Sequence, residues 1–170
     1  MVKALGAALV VSCCTLLGLV TVGRSNQRLR SLGSLLAVLD QLKAELEDLL
    51  PPLPDLLGSL RFRAEQPAAE FVSQVIWLTE KKRLPFQEAW EQGVRETDAL
   101  CLRPEEAKAL SALGAVLGRY DPETQCAAVE RTRQRLALFR DLEEKEKARK
   151  NRLSAALGAG AGITLAILLL

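Results

Sequence analysis

Hydropathy divides the chain into two apolar ends and a far more polar middle. Ala4–Val22 carries no charged side chain and, at ~1.5 Å per helical residue, is long enough to cross the ~30 Å of a bilayer's hydrocarbon. Leu153–Leu170 is a second apolar run, at ~27 Å just sufficient for the same crossing. Between them the apolar positions recur with helical period, and no strand-like alternation appears. Leu32, Leu35, Leu39, Leu42, Leu46 and Leu49 step by three and four up to Pro51-Pro52. That spacing keeps one stripe facing a partner helix. At under three heptads it predicts the core face of a bundle helix rather than an independent coiled coil.

Prolines then punctuate the middle, each where a helix can start without losing a needed N–H. Pro54 opens a segment to about Phe62. Pro67 opens one with Phe71, Val72, Val75 and Ile76 on one face, and Pro85 one with Phe86, Ala89, Trp90 and Val94. Pro104 opens a fourth, with Ala107, Leu110, Leu113 and Leu117 inward. Asp121-Pro122-Glu123 signals a last start, Asp121 as cap and Glu123 in the first turn. Val129, Leu136, Phe139 and Leu142 supply the buried stripe of that helix, and "EEKEKARKNR" at Glu143–Arg152 is polar all round. Glu143/Lys147 and Glu146/Lys150 fall at i, i+4 in the favourable order, which predicts a solvated stalk. The expected fold is all-α: an antiparallel bundle of about six helices over residues 25–152. Its stalk is 143–152, and membrane helices flank it at 1–24 and 153–170.

Charge orients this arrangement. Arg24, Arg28 and Arg30 follow the first run; Lys145, Lys147, Arg149, Lys150 and Arg152 precede the second. Cytoplasmic flanks collect Lys and Arg, so both flanks point inward and both termini away from the cytoplasm. Lys3 opposes this as one residue against three. Two other readings of the N-terminal run remain open. One is a cleaved signal peptide. The other is a lipoprotein signal, since Val10-Val11-Ser12-Cys13 fits the pattern cut before a lipidated cysteine. That would make the chain an exported helical binding protein anchored at Cys13. In the tail, Gly158 and Gly162 form the G-x-x-x-G that lets helix backbones approach closely in lipid. Such a surface would pack on the first helix or on another copy of the chain; Gly and Ala are also simply common in membrane helices.

The candidate chemistry is sparse. The chain of 170 residues has no histidine, which removes the commonest general base and zinc ligand. Of its four cysteines, Cys13 and Cys14 lie in the apolar run, while Cys101 and Cys126 fall at expected helical core positions. A net charge of +2 with 4% aromatics gives no case for nucleic acid. No phosphate loop precedes a lysine, and no cofactor is expected. The acid pairs Glu105-Glu106 and Glu143-Glu144 read as solvated charges or dipole partners, and Trp77 and Trp90 as packing residues. This is the pattern of a protein that holds others in place.

Read in order, the chain resembles the stage III sporulation protein AB family of endospore-forming bacteria. The resemblance is carried by the apolar helix beginning "MVKALGA", by "RLRSLGSLLAVLDQLKAEL", by Pro52-Leu53 and by "AWE" at Ala89–Glu91. "LSALGAVLGRYD" at Leu110–Asp121 and "LGAGAGITLAILLL" at Leu157–Leu170 complete it. Pro51-Pro52-Leu53-Pro54 is richer in proline than the family's turn. The family is similar in its helical domain to the F-type platform proteins of type II secretion. The resemblance implies a place in the mother-cell membrane facing the forespore, in the stage III sporulation channel complex, beside a secretion-type ATPase. It also implies close helix packing at Gly114 and Gly118. Partner contacts are expected at Arg61, Arg63, Lys81, Lys82 and Arg83, which cluster near two helix ends.

The charge asymmetry makes one direct prediction. Topology reporters fused at residue 90 and at the C-terminus should score on opposite sides of the membrane, with Cys101 and Cys126 on the cytoplasmic side. Scoring on the same side would leave the tail peripheral or buried within protein.

Overall fold

The computed structural model describes residues 25–47 and 52–169, with backbone only at 151–152 and 154–169. All of these that form regular structure are helical. Helix α1 covers residues 25–47, followed by α2 (Leu53–Arg63), α3 (Ala68–Glu80), α4 (Phe86–Glu96), α5 (Pro104–Gly114) and α6 (Pro122–Leu169). A single 3-10 turn, Asp98–Leu100, joins α4 to α5. The chain falls into two compact units, Gln27–Asp141 and the two terminal stretches Met1–Asn26 and Leu142–Leu170. Among the described residues no helix is long and apolar enough to cross a membrane. The run Ala4–Val22 with Cys13, residue Leu49, and the side chains of Gly158 and Gly162 lie outside the described residues.

Proline fixes φ near the helical value, and it stands at or beside five helix starts. Pro52 caps α2 one residue earlier than the sequence pattern placed the start, with Pro54 in the first turn. Pro67 and Pro85 cap α3 and α4, while Pro104 and Pro122 are the first residues of α5 and α6. Ahead of α6, Asp121 accepts the Thr124 backbone N–H at 2.9 Å and the Thr124 hydroxyl at 2.8 Å. The backbone bond is the main reason its carboxyl titrates below the usual range.

In the unit Gln27–Asp141, α1 buries Leu32, Leu35, Leu39, Leu42 and Leu46 together with Val38. It runs antiparallel to α6, as Lys43–Glu130 at 3.0 Å and Asp40–Arg133 show by their opposite numbering. The hydrogen bond that Lys43 donates holds the Glu130 carboxyl low and raises the Lys43 ammonium.

Trp90 sits at the centre of the other helices. Its ring meets Phe71 edge-on at 4.9 Å between centroids and Phe86 at 5.6 Å, and its indole N–H donates to the Leu110 carbonyl at 2.8 Å. Gly114 lies beneath it: a Cβ there would stand 2.5 Å from Trp90 Cδ1. Gly118 is different, for it lies past the end of α5 with φ +74°. There its N–H donates to Gln125 Oε1 at 2.9 Å, so the turn, rather than helix packing, requires glycine.

Further polar ties near its first half fix α1 to the rest of this unit. The Ser31 hydroxyl donates to the Leu100 carbonyl, and the Ser34 hydroxyl accepts the Ala68 N–H that starts α3 at 3.3 Å. Arg28 donates to Glu106 at 2.6 Å and to the Cys101 carbonyl at 3.4 Å. Glu106, only 1% exposed, also accepts the Arg103 N–H at 2.7 Å, closing the first turn of α5. Of the two readings of the Glu105-Glu106 pair, solvated charge or dipole partner, Glu106 is therefore not solvated but does stand in the first turn of α5.

Other expectations need correction. Trp77 is 45% exposed and Leu142 53% exposed, so neither packs inward. Glu143 is buried and accepts the Ser25 hydroxyl at 2.9 Å, so the charged stretch is not solvated at its first residue. Cys101 lies outside any helix, half-buried at φ +47° after the 3-10 turn. Cys126 is half-buried in α6, where burial pushes its thiol up.

The end of α3 is closed by a turn in which the Leu84 N–H reaches back to the Leu78 carbonyl at 3.2 Å. Arg83 takes its left-handed position at φ +53°, where glycine is the usual residue. Two outcomes follow from these placements. Leu39→Asp, which buries an unpaired carboxylate, should cost roughly 3 kcal/mol or more and abolish the cooperative helical melt of residues 25–152 in circular dichroism. Arg83→Gly should raise the urea midpoint with unchanged slope, by roughly 0.5–1 kcal/mol after the entropy of glycine is discounted; a lowered midpoint would show that the arginine side chain stabilises the turn.

Candidate interaction surface

The outer face of α3 follows from the phase of its helix. Phe71, Val75 and Leu78 point into the core. At about 100° per residue Trp77 falls roughly 125° away from that stripe. Its indole is consequently laid on the surface, where the Lys82 ammonium stands 4.9 Å from the ring centroid. A cation over a tryptophan face is attracted by the ring quadrupole. Along the same face runs a shallow groove of about 440 Å³ lined by Arg61, Glu70, Ser73, Gln74, Trp77 and Lys81, with Ile76 and Glu80 beside them.

The five basic residues singled out in the sequence are thus distributed unevenly. Arg61 and Lys81 line one groove, Lys82 covers Trp77, and Arg83 forms the turn that ends α3. Arg63 turns instead toward α1, its guanidinium 3.8 Å from Glu45, a carboxylate that also accepts the Ser59 hydroxyl at 2.7 Å. Between Arg61 and Arg63, Phe62 is 89% exposed. The groove thus brings a half-exposed tryptophan beside Arg61, two residue types that dominate binding energy at interfaces in general.

Helix phase was the signal that could have found Trp77, because spacing from Trp90 says nothing about which side of α3 it takes. Glu106 offered a weaker one: an acid three residues after Arg103, at the position that reaches back over a helix start. Among the described residues no group of three or more Asp, Glu, His or Cys side chains could hold a metal ion.

Comparison with known proteins places this bundle. The family model for stage III sporulation protein AB matches residues 3–170. The stage III sporulation protein AB of Bacillus subtilis (strain 168) is 27% identical over 171 residues, a match covering 100% of both chains. A solved structure of a stage III sporulation protein AB, 24% identical, covers 72% of this chain and 98% of its own with a TM-score of 0.65, which shows the shared fold. The chain belongs to the stage III sporulation protein AB family.

Proposed function

We propose that this protein is a non-enzymatic, membrane-anchored assembly component of the channel complex between mother cell and forespore, and that its helical bundle docks a secretion-type ATPase. Family membership supports the role in sporulation. Anchoring at both ends rests on the two uncharged runs and the basic residues beside them. It would hold the bundle in the mother-cell membrane with both termini away from the cytoplasm.

The observation that carries docking is Trp77, held half out of the fold with Lys82 over its ring and Arg61 and Lys81 along the same groove. A buried tryptophan would add to the core, but an exposed one presents apolar area to whatever covers it. Arg63, already beside Glu45, contributes least to such a contact.

The test replaces Arg61, Lys81, Lys82 and Arg83 with Glu and, separately, Trp77 with Ala. Each variant should keep wild-type helicity and lose about tenfold or more in capture of the ATPase at low salt, where charge effects are largest. Sporulation should stop after engulfment. Undiminished capture would refute this surface as the docking site, and a wild-type protein that captures no ATPase would remove the partner.

A further inference from the structure

A second groove lies elsewhere on the unit Gln27–Asp141, between α5 and the first turns of α6, with a volume of about 370 Å³. Its floor is mostly apolar: Ala109, Ala112 and Leu113 come from α5, Val116 from just past it, and Ala128 and Thr132 from α6. Its rim is cationic on both sides, with Lys108 on the α5 wall and Arg131 and Arg135 on the α6 wall. No carboxylate lines it.

The charges on this rim differ from those a few residues away. Arg133, on another side of α6, is engaged by Asp40 and Glu130. Among the described residues none of Lys108, Arg131 and Arg135 has a carboxylate partner; Arg131 donates only to the Ala127 carbonyl one turn back, at 3.2 Å. Three exposed cations around one groove repel one another, and a partner's anions would relieve this. Along α6, Arg131, Arg135 and Leu138 stand at i, i+4 and i+7, one stripe of the helix. Leu138 is 63% exposed, so the stripe carries an uncovered leucine just beyond the second arginine.

We propose that this groove binds an acidic amphipathic helix of a partner protein. The alanines of the floor admit the close approach of a helix backbone, as small residues do wherever helices pack tightly. The incoming apolar stripe would cover Ala112 and Leu138, in the groove-binding mode that reads i, i+3, i+4 and i+7 anchors. Its flanking Glu or Asp residues would meet Lys108 on one side and Arg131 and Arg135 on the other. Nucleic acid fits less well because no aromatic ring lines the groove for bases to stack on. The surface is not shared with the ATPase reading, so each stands or falls alone.

The full-length protein, carrying a photoreactive benzoylphenylalanine in place of Ala112, is irradiated in sporulating cells and the adduct sequenced. The expected product is a peptide whose acidic residues flank an apolar stripe of helical period. That peptide, resynthesised, should bind the full-length protein in detergent. Lys108→Glu, Arg131→Glu and Arg135→Glu together should weaken binding at least tenfold while leaving the melting curve in place. A peptide with its acids changed to Lys should regain affinity for the triple variant and lose it for the wild type. The proposal is overturned by an adduct with lipid, nucleic acid, a second copy of this chain or a peptide without an acidic face. It is equally overturned by no adduct, or by a triple variant that binds the original peptide undiminished.

Discussion

Everything in the α3–α4–α5 part of the bundle depends on the contact between Trp90 and Gly114. The indole lies where a side chain at 114 would have to be, with a Cβ position only 2.5 Å from its ring. The backbone of α5 therefore comes against the ring itself. The same ring takes the edge of Phe71 from α3, contacts Phe86 near the start of α4, and spends its one donor on a carbonyl near the end of α5. A large aromatic with all its apolar area and its N–H satisfied is a strong anchor. Gly93 repeats the device one turn along, where a Cβ would stand 2.8 Å from Val75. Close approach on both sides of α4 thus sets the spacing of three helices at once.

α1 is held by a different balance. Its leucines supply the apolar area, but they would tolerate sliding along the groove. The serines at 31 and 34 and the arginine at 28 remove that freedom, because each reaches a backbone or carboxylate partner elsewhere in the chain. The Arg28–Glu106 pair is the costly member. Glu106 is almost fully buried, and taking a carboxylate out of water is offset only by good geometry and full pairing. It has both, from the guanidinium and from the Arg103 N–H. Such a pair adds little net stability over an apolar replacement. Removing either partner alone leaves a buried charge, so its contribution is to exclude other registers of α1.

How much of this the amino-acid sequence discloses depends on whether one residue or two decide the outcome. Proline acts alone, through its own ring, and the helix starts at Pro67, Pro85, Pro104 and Pro122 are readable from the chain. The leucine stripe also acts through its own period, and residues 32 to 46 of it are buried. Glu106 and Trp77 are decided by partners. Glu106 is buried because Arg28 arrives from 78 residues away, which no local pattern encodes. Trp77 is exposed because Phe71, Val75 and Leu78 fix the phase of α3 against it, and hydrophobicity alone misplaces it. Leu142 fails for the related reason that a stripe extrapolated along α6 stays half-exposed at that point.

One of these exceptions, Trp77, lies where the functional reading is drawn, and there is a physical reason. A core closed by Trp90, the glycines and the leucines does not need Trp77, Phe62 or Leu138, so their exposure is not forced by any shortage of interior. Each leaves apolar area in water that a polar residue would not. Arg83 adds a backbone cost, holding a left-handed conformation that glycine would take without a Cβ clash. It does so six residues from an exposed tryptophan, beside a lysine stacked on that ring. Strain and uncovered apolar surface that contribute nothing to the fold are explained once a second molecule covers them, since a contact made on binding can then offset what they cost in isolation.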